Sequence, residues 1–149
     1  MKPIIVIALI AALCFPSFAQ TSIRASAKRM EQRIKALSQF GANPEGGVSR
    51  VAYSDADIAG RKYVMGLMRN AGLEVSVDAA GNIIGKRKGK NNKLPSIAFG
   101  SHIDSVPGGG NYDGDVGSLG AIECIELMKE NNIVTEHPLE VFIFQNEEG

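Results

Sequence analysis

The stretch GSHIDSVPGGGNYDGD, residues 100–115, sets one imidazole and three carboxylates, His102, Asp104, Asp113 and Asp115, among glycines. A second acidic pair, Glu147 and Glu148, falls in FQNEEG, residues 144–149. Carboxylates that gather repel one another unless a cation sits among them. Imidazole together with carboxylates suits zinc, with manganese, nickel or cobalt as alternatives. Asp104, two residues beyond His102, can accept a hydrogen bond from the ring nitrogen that does not bind metal, which fixes the tautomer. The run Gly108-Gly109-Gly110 lets the backbone turn tightly enough for Asp113 to return toward His102, and a carboxylate has two oxygens with which to bridge two ions. Each signal taken singly has a plainer reading. HID is usually a polar loop, EE a solvated turn, and Asp115 a favourable charge at the start of a helix. The glycine run lacks the lysine and spacing of a P-loop.

The case for a shared site therefore rests on the elements that carry these residues. Apolar positions Ile23, Ala27, Met30, Ile34 and Leu37 predict an amphipathic helix within 23–40, stopped at Gly41. A second helix is expected from the N-cap Ser54 to Gly72, with Asp55 and Asp57 in its first turn. LEVSVD (73–78) and NIIGKR (82–87) read as strands about a turn. SIAFG (96–100) reads as a strand covered on both sides, and LEVFIFQ (139–145) as another buried strand. Between them VGSLGAIECIELMKEN (116–131) carries a helical stripe of Leu119, Ile122, Ile125 and Met128. Strand, helix, strand predicts a right-handed βαβ unit, and the fold class is α/β, a largely parallel sheet flanked by helices. In such sheets ligands bind beyond the carboxyl ends of strands. His102 and the pair Glu147-Glu148 each follow such an end, so parallel neighbours would bring them to one edge, with Asp113 between.

These residues and their order resemble the metal-dependent amidase/hydantoinase/carbamoylase group, within the co-catalytic zinc peptidases and aminoacylases. GSHIDSVPGGGNYDGDVGSLGAIE, FQNEEG and the upstream GGVSRVAYSDADIAGRKYVMGLMRN carry the resemblance, which spans roughly residues 24–149. It implies two divalent ions, zinc foremost. His102 would bind one, Asp113 both and Glu148 the other, with Glu147 as general base and Asp104 orienting His102. The implied reaction is hydrolysis of a linear amide or ureido C–N bond in a small substrate bearing a carboxylate, such as an N-carbamoyl amino acid or allantoate. The eleven-residue step from His102 to Asp113 argues against the peptidase branches, whose hydrolysis of peptide or acyl-amide bonds is the rival reading. The resemblance also implies a lid domain, two more histidine ligands and a substrate-gripping arginine beyond Gly149, and a homodimer. On that expectation 20–149 is the N-terminal part of a catalytic domain, inactive alone; a non-catalytic secreted metal-binding module is the rival from another class.

The start of the chain points to export. MKPIIVIALIAALCFPSFAQ has a basic residue, an apolar run from Ile4 to Phe15 and small residues before Ala19, the layout of a signal peptide over residues 1–19. The run is shorter than the roughly 20 residues a spanning helix needs. Removing it takes Lys2 from 16 basic and 16 acidic side chains, leaving a net charge of −1 that favours no nucleic-acid partner. Cys124 is then alone, expected as a small buried hydrophobe and not as half of a disulfide.

Overall fold

A computed structural model describes residues 23–149; the expected signal peptide lies outside the described residues. Helix α1 (Ala27–Leu37) begins where the Ser26 side chain accepts a hydrogen bond from the Arg29 amide. A turn takes up 38–40, and residues 23–26 lie outside regular secondary structure. Helix α2 (Asp55–Asn70) starts at Ser54, whose hydroxyl accepts from the Asp57 amide, as its cap chemistry predicts. Strands β1 (Glu74–Val77) and β2 (Ile83–Arg87) form a hairpin, followed by β3 (Ile97–His102), α3 (Asp115–Glu130) and β4 (Leu139–Phe144).

The sheet order is β1-β2-β4-β3. The α/β class is as expected, and β3 and β4 are parallel neighbours joined through α3. The sheet is mixed, however, and not largely parallel, since β1–β2 and β2–β4 are antiparallel. The reason is local. A five-residue turn joins β1 to β2, which only an antiparallel pair permits, and β2 then pairs with β4 in the same sense.

The stripe on α3 packs as its spacing predicts. Leu119, Ile122 and Ile125 are fully buried against Val141, Ile143, Val64 and Met68, each side chain contributing roughly 1.5–3 kcal/mol by its removal from water. Two expectations fail. Strand β3 is not covered on both sides. It is an edge strand with Ile97 52% exposed, and only Phe99 of its apolar residues packs against the core. Cys124 is exposed because it falls off the 119/122/125 face. Helix α1 is tied to α3 by charge. Glu123 of α3 is buried, accepts from the Ser26 amide at 2.9 Å, and pairs with Arg29 at 2.6 Å and Arg33 at 3.1 Å. Among the described residues no helix is long and apolar enough to cross a membrane.

Candidate metal centre

The register of β3 on β4 sets His102 opposite Phe144, so both strands end at the same edge. His102 is the last residue of its strand, and its ring is buried. Its Nδ1 lies 3.1 Å from the Asp104 carbonyl oxygen and 3.7 Å from the Asp104 carboxylate. A proton on Nδ1 would meet acceptors on that side and leave the Nε2 lone pair facing outward, the tautomer a metal ligand needs. Glu147 Oε2 stands 3.6 Å from Nε2. The expected contact of Asp104 with the ring is thus made more closely by its backbone than by its carboxylate. That carboxylate has a second partner, accepting the Glu148 amide at 3.2 Å, and so ties the two strand-end loops together. Its other oxygen is buried without a hydrogen bond.

After β4 the chain turns through Asn146 at φ 58, a left-handed conformation that asparagine tolerates. The turn brings Glu148 back toward the glycine loop. One donor atom each from His102, Asp113 and Glu148 lies within 4.8 Å of the others. The Glu148 carboxyl is held above its usual range, first by burial and then by the Asp113 charge, with His102 opposing. Donor bonds of about 2.0–2.2 Å to a zinc ion span such a cluster after small side-chain rotations. An imidazole nitrogen with two carboxylates in mutual repulsion is a donor set that fits a divalent cation, and the buried Asp104 oxygen adds negative potential behind the ring.

Gly114 explains how Asp113 comes so near. It occupies a γ-turn (φ 64, ψ −47) closed by the Asp115 amide donating to the Asp113 carbonyl at 2.6 Å. A Cβ at position 114 would lie 2.5–2.6 Å from three atoms of the His102 ring. The imidazole therefore packs against bare backbone. The Ser118 hydroxyl donates to the His102 carbonyl at 2.7 Å, which docks the first turn of α3 on the end of β3.

Two polar networks around this centre are absent from the sequence reading. Asp115 does more than favour the helix start: both of its oxygens accept from Arg50 Nη2 at 2.7 Å, and both residues are buried. Burial pushes the Asp115 carboxyl up to about 6 against the pull of Arg50. On the other side, buried Asp57 accepts from the Tyr53 amide and from Gln145 Nε2, both at 2.9 Å. Arg61 bonds Gln145 Oε1 and the Gly81 carbonyl, and the Gln145 amide donates to Asn82 Oδ1 at 3.0 Å. Gln145 is thereby fixed just before the Glu147-Glu148 pair. An arginine within a glycine-rich connection is the one sequence signal that could have marked the first network. His137 lies at the far end of β3, with Nδ1 2.8 Å from the Pro95 carbonyl, and takes no part in the cluster.

Residues 82–149 match the model of Peptidase family M28. The chain is 44% identical over 128 residues to a ureidoglycolate hydrolase of Arabidopsis thaliana, covering 86% of this chain and 27% of that protein. It is 42% identical over 122 residues to an N-carbamoyl-L-amino acid amidohydrolase of Geobacillus stearothermophilus, covering 82% and 30%. The solved structure of a hydantoinase/carbamoylase family amidase from Burkholderia vietnamiensis superimposes with a TM-score of 0.83 at 41% identity, over 87% of this chain and 31% of that one. The chain thus spans about three-tenths of the length of these relatives.

Proposed function

We propose, on the premise that this chain is related to the hydantoinase/carbamoylase amidases, that it carries part of the active site of a metal-dependent amidohydrolase. The reaction is hydrolysis of a linear amide or ureido C–N bond in a small substrate bearing a carboxylate. The observation that carries this reading is the His102–Asp113–Glu148 cluster, with the Glu147 carboxylate beside the imidazole. His102, Asp113 and Glu148 would hold the metal, Asp113 being the shared ligand where two ions bind, and zinc is the ion proposed. Bound there, a divalent ion supplies Lewis acidity and lowers the pKa of water.

The chain's own residues do the rest. Asp104 keeps the proton on Nδ1, so that His102 offers Nε2. Glu147 is 53% exposed and free to turn, so its carboxylate can take a proton from water and return it to the leaving nitrogen. By the same reading the 149-residue chain alone binds metal weakly and does not turn over, since it does not supply the two further histidine ligands and the arginine that the resemblance implies. Export, with cleavage after Ala19, belongs to the same proposal.

Calorimetric titration of the chain with zinc tests the centre. His102→Ala, Asp113→Asn and Glu148→Gln should each weaken binding, and an affinity equal to that of the native chain in all three would reject it. The match to Peptidase family M28 over residues 82–149 favours a second reading, a peptidase using the same centre. In a longer form carrying the downstream ligands, assay of N-carbamoyl amino acids, ureidoglycolate and allantoate beside a dipeptide panel separates the two.

A further inference from the structure

The side chain of Arg50 is one of the largest fully buried groups in the structure, and no step of the proposed chemistry uses it. Its Nε donates to the Ile103 carbonyl, Nη1 to the carbonyls of Leu37 and Phe40 at 2.9 and 3.1 Å, and Nη2 to both oxygens of Asp115 at 2.7 Å. A guanidinium has five N–H donors in a rigid fork, and all five are accounted for here. The space is built to fit: a Cβ at Gly60 would lie 2.9 Å from Arg50 Cδ.

The partners matter more than their number. Ile103 follows His102 directly, and its carbonyl belongs to the peptide that joins it to Asp104. Asp115 is joined to Asp113 by the γ-turn at Gly114. One planar group therefore fixes the backbone beside the imidazole and the backbone beside the Asp113 carboxylate. The Arg50 main chain reinforces this, its amide donating to Ser105 Oγ at 2.9 Å and its carbonyl accepting from the Ser105 amide at 3.0 Å. Next to it, the Val48 amide donates to the Gly109 carbonyl and Ser49 Oγ accepts from the Gly108 amide. The segment 48–50 thus lies along the loop that leads from His102 to Asp113, joined to it by an isolated bridge and by hydrogen bonds.

We propose that Arg50 is a positioning residue that sets the distance and facing of His102 and Asp113. A lysine would keep the charge, but its three donors radiate from a single nitrogen. It cannot reach the Ile103 carbonyl and the Asp115 carboxylate in the fork geometry that relates them.

The test uses the 149-residue chain and the variant Arg50→Lys. Its first readout needs no metal: long-range nitrogen–proton NMR of the His102 ring at a pH where imidazole is neutral. The native chain should show one tautomer with the proton on Nδ1, and Arg50→Lys a mixture of both. The second readout is zinc affinity, expected to fall about 10-fold or more, as when an outer partner of a ligand is lost. Only this second readout rests on the metal-centre reading. Failure of the native chain to bind zinc would reject that reading while the ring spectrum still decides the role of Arg50. Ile125→Ala, a core truncation far along α3, should lower the melting temperature and leave the ring spectrum native. Should Arg50→Lys not fold, Asp115→Asn, which keeps one acceptor for Nη2, carries the same expectation. A folded variant with lowered melting temperature but native tautomer would overturn the proposal.

Discussion

Replacement of Gly114 by alanine separates backbone strain from displacement of the imidazole. At φ 64, ψ −47 an L residue is strained, and holding it there costs about 1–3 kcal/mol, a fall of roughly 5–10 °C in melting temperature for a domain of this size. The new Cβ would also meet His102 Cε1 at 2.5 Å, and ordinary contact begins near 3.4 Å. The ring must therefore retreat by about 0.9 Å, beyond the roughly 0.5 Å tolerance of a working site. Since Ser118 and Asp104 hold the His102 carbonyl and Nδ1, the retreat tilts Nε2 away from Asp113 and Glu148. Gly108→Ala is the matched control. That residue also has a positive φ, 71°, but a Cβ there meets nothing within 4 Å. Both variants should lose stability in a thermal melt followed by circular dichroism. In calorimetry only Gly114→Ala should also lose zinc affinity, by about 10- to 100-fold. Equal zinc affinity in the two variants would refute the argument that bare backbone at position 114 is what seats the ring.

Three other outcomes are expected. Zinc at about 100 times its dissociation constant should stabilise the chain by about 2.7 kcal/mol, and a chelator should reverse the shift in a melt; a melting temperature indifferent to both would contradict a centre formed in the folded state. In a longer form with the downstream ligands, Glu147→Gln should retain metal by elemental analysis and lose turnover by about 100-fold or more, whereas an unchanged rate would remove Glu147 from proton transfer. Burial tends to raise the Glu123 carboxyl, but Arg29, the Ser26 amide and Arg33 outweigh it and hold it below its usual range. Its stabilisation is then present above the unfolded glutamate value, about 4.3, and lost as pH falls through the lower folded-state value. Thermal melts between about pH 5 and about pH 3 should show a steeper loss for the native chain than for Glu123→Gln, and parallel curves would deny the coupling of α1 to α3.

What the sequence determined by itself was local chemistry and its period. Ser54 capping α2, the 119/122/125 stripe and the turn between β1 and β2 are all decided by residues within a few positions of one another, and each is where its pattern places it. The α/β class and the convergence of His102 with Glu148 followed from one further step, the parallel pairing that a strand–helix–strand unit imposes. Tertiary structure decided the rest. An apolar run such as SIAFG states that a strand is apolar but not what covers it, so β3 as a sheet edge was illegible. The antiparallel insertion of β2 beside β4 depends on competition among strands and not on the composition of either one. Arg50 and Asp115, 65 positions apart, carry no periodic signal, and neither do Asp57 and Gln145. A buried polar group is specified by the distant acceptors that close around it, and those acquire positions only when the whole chain has folded.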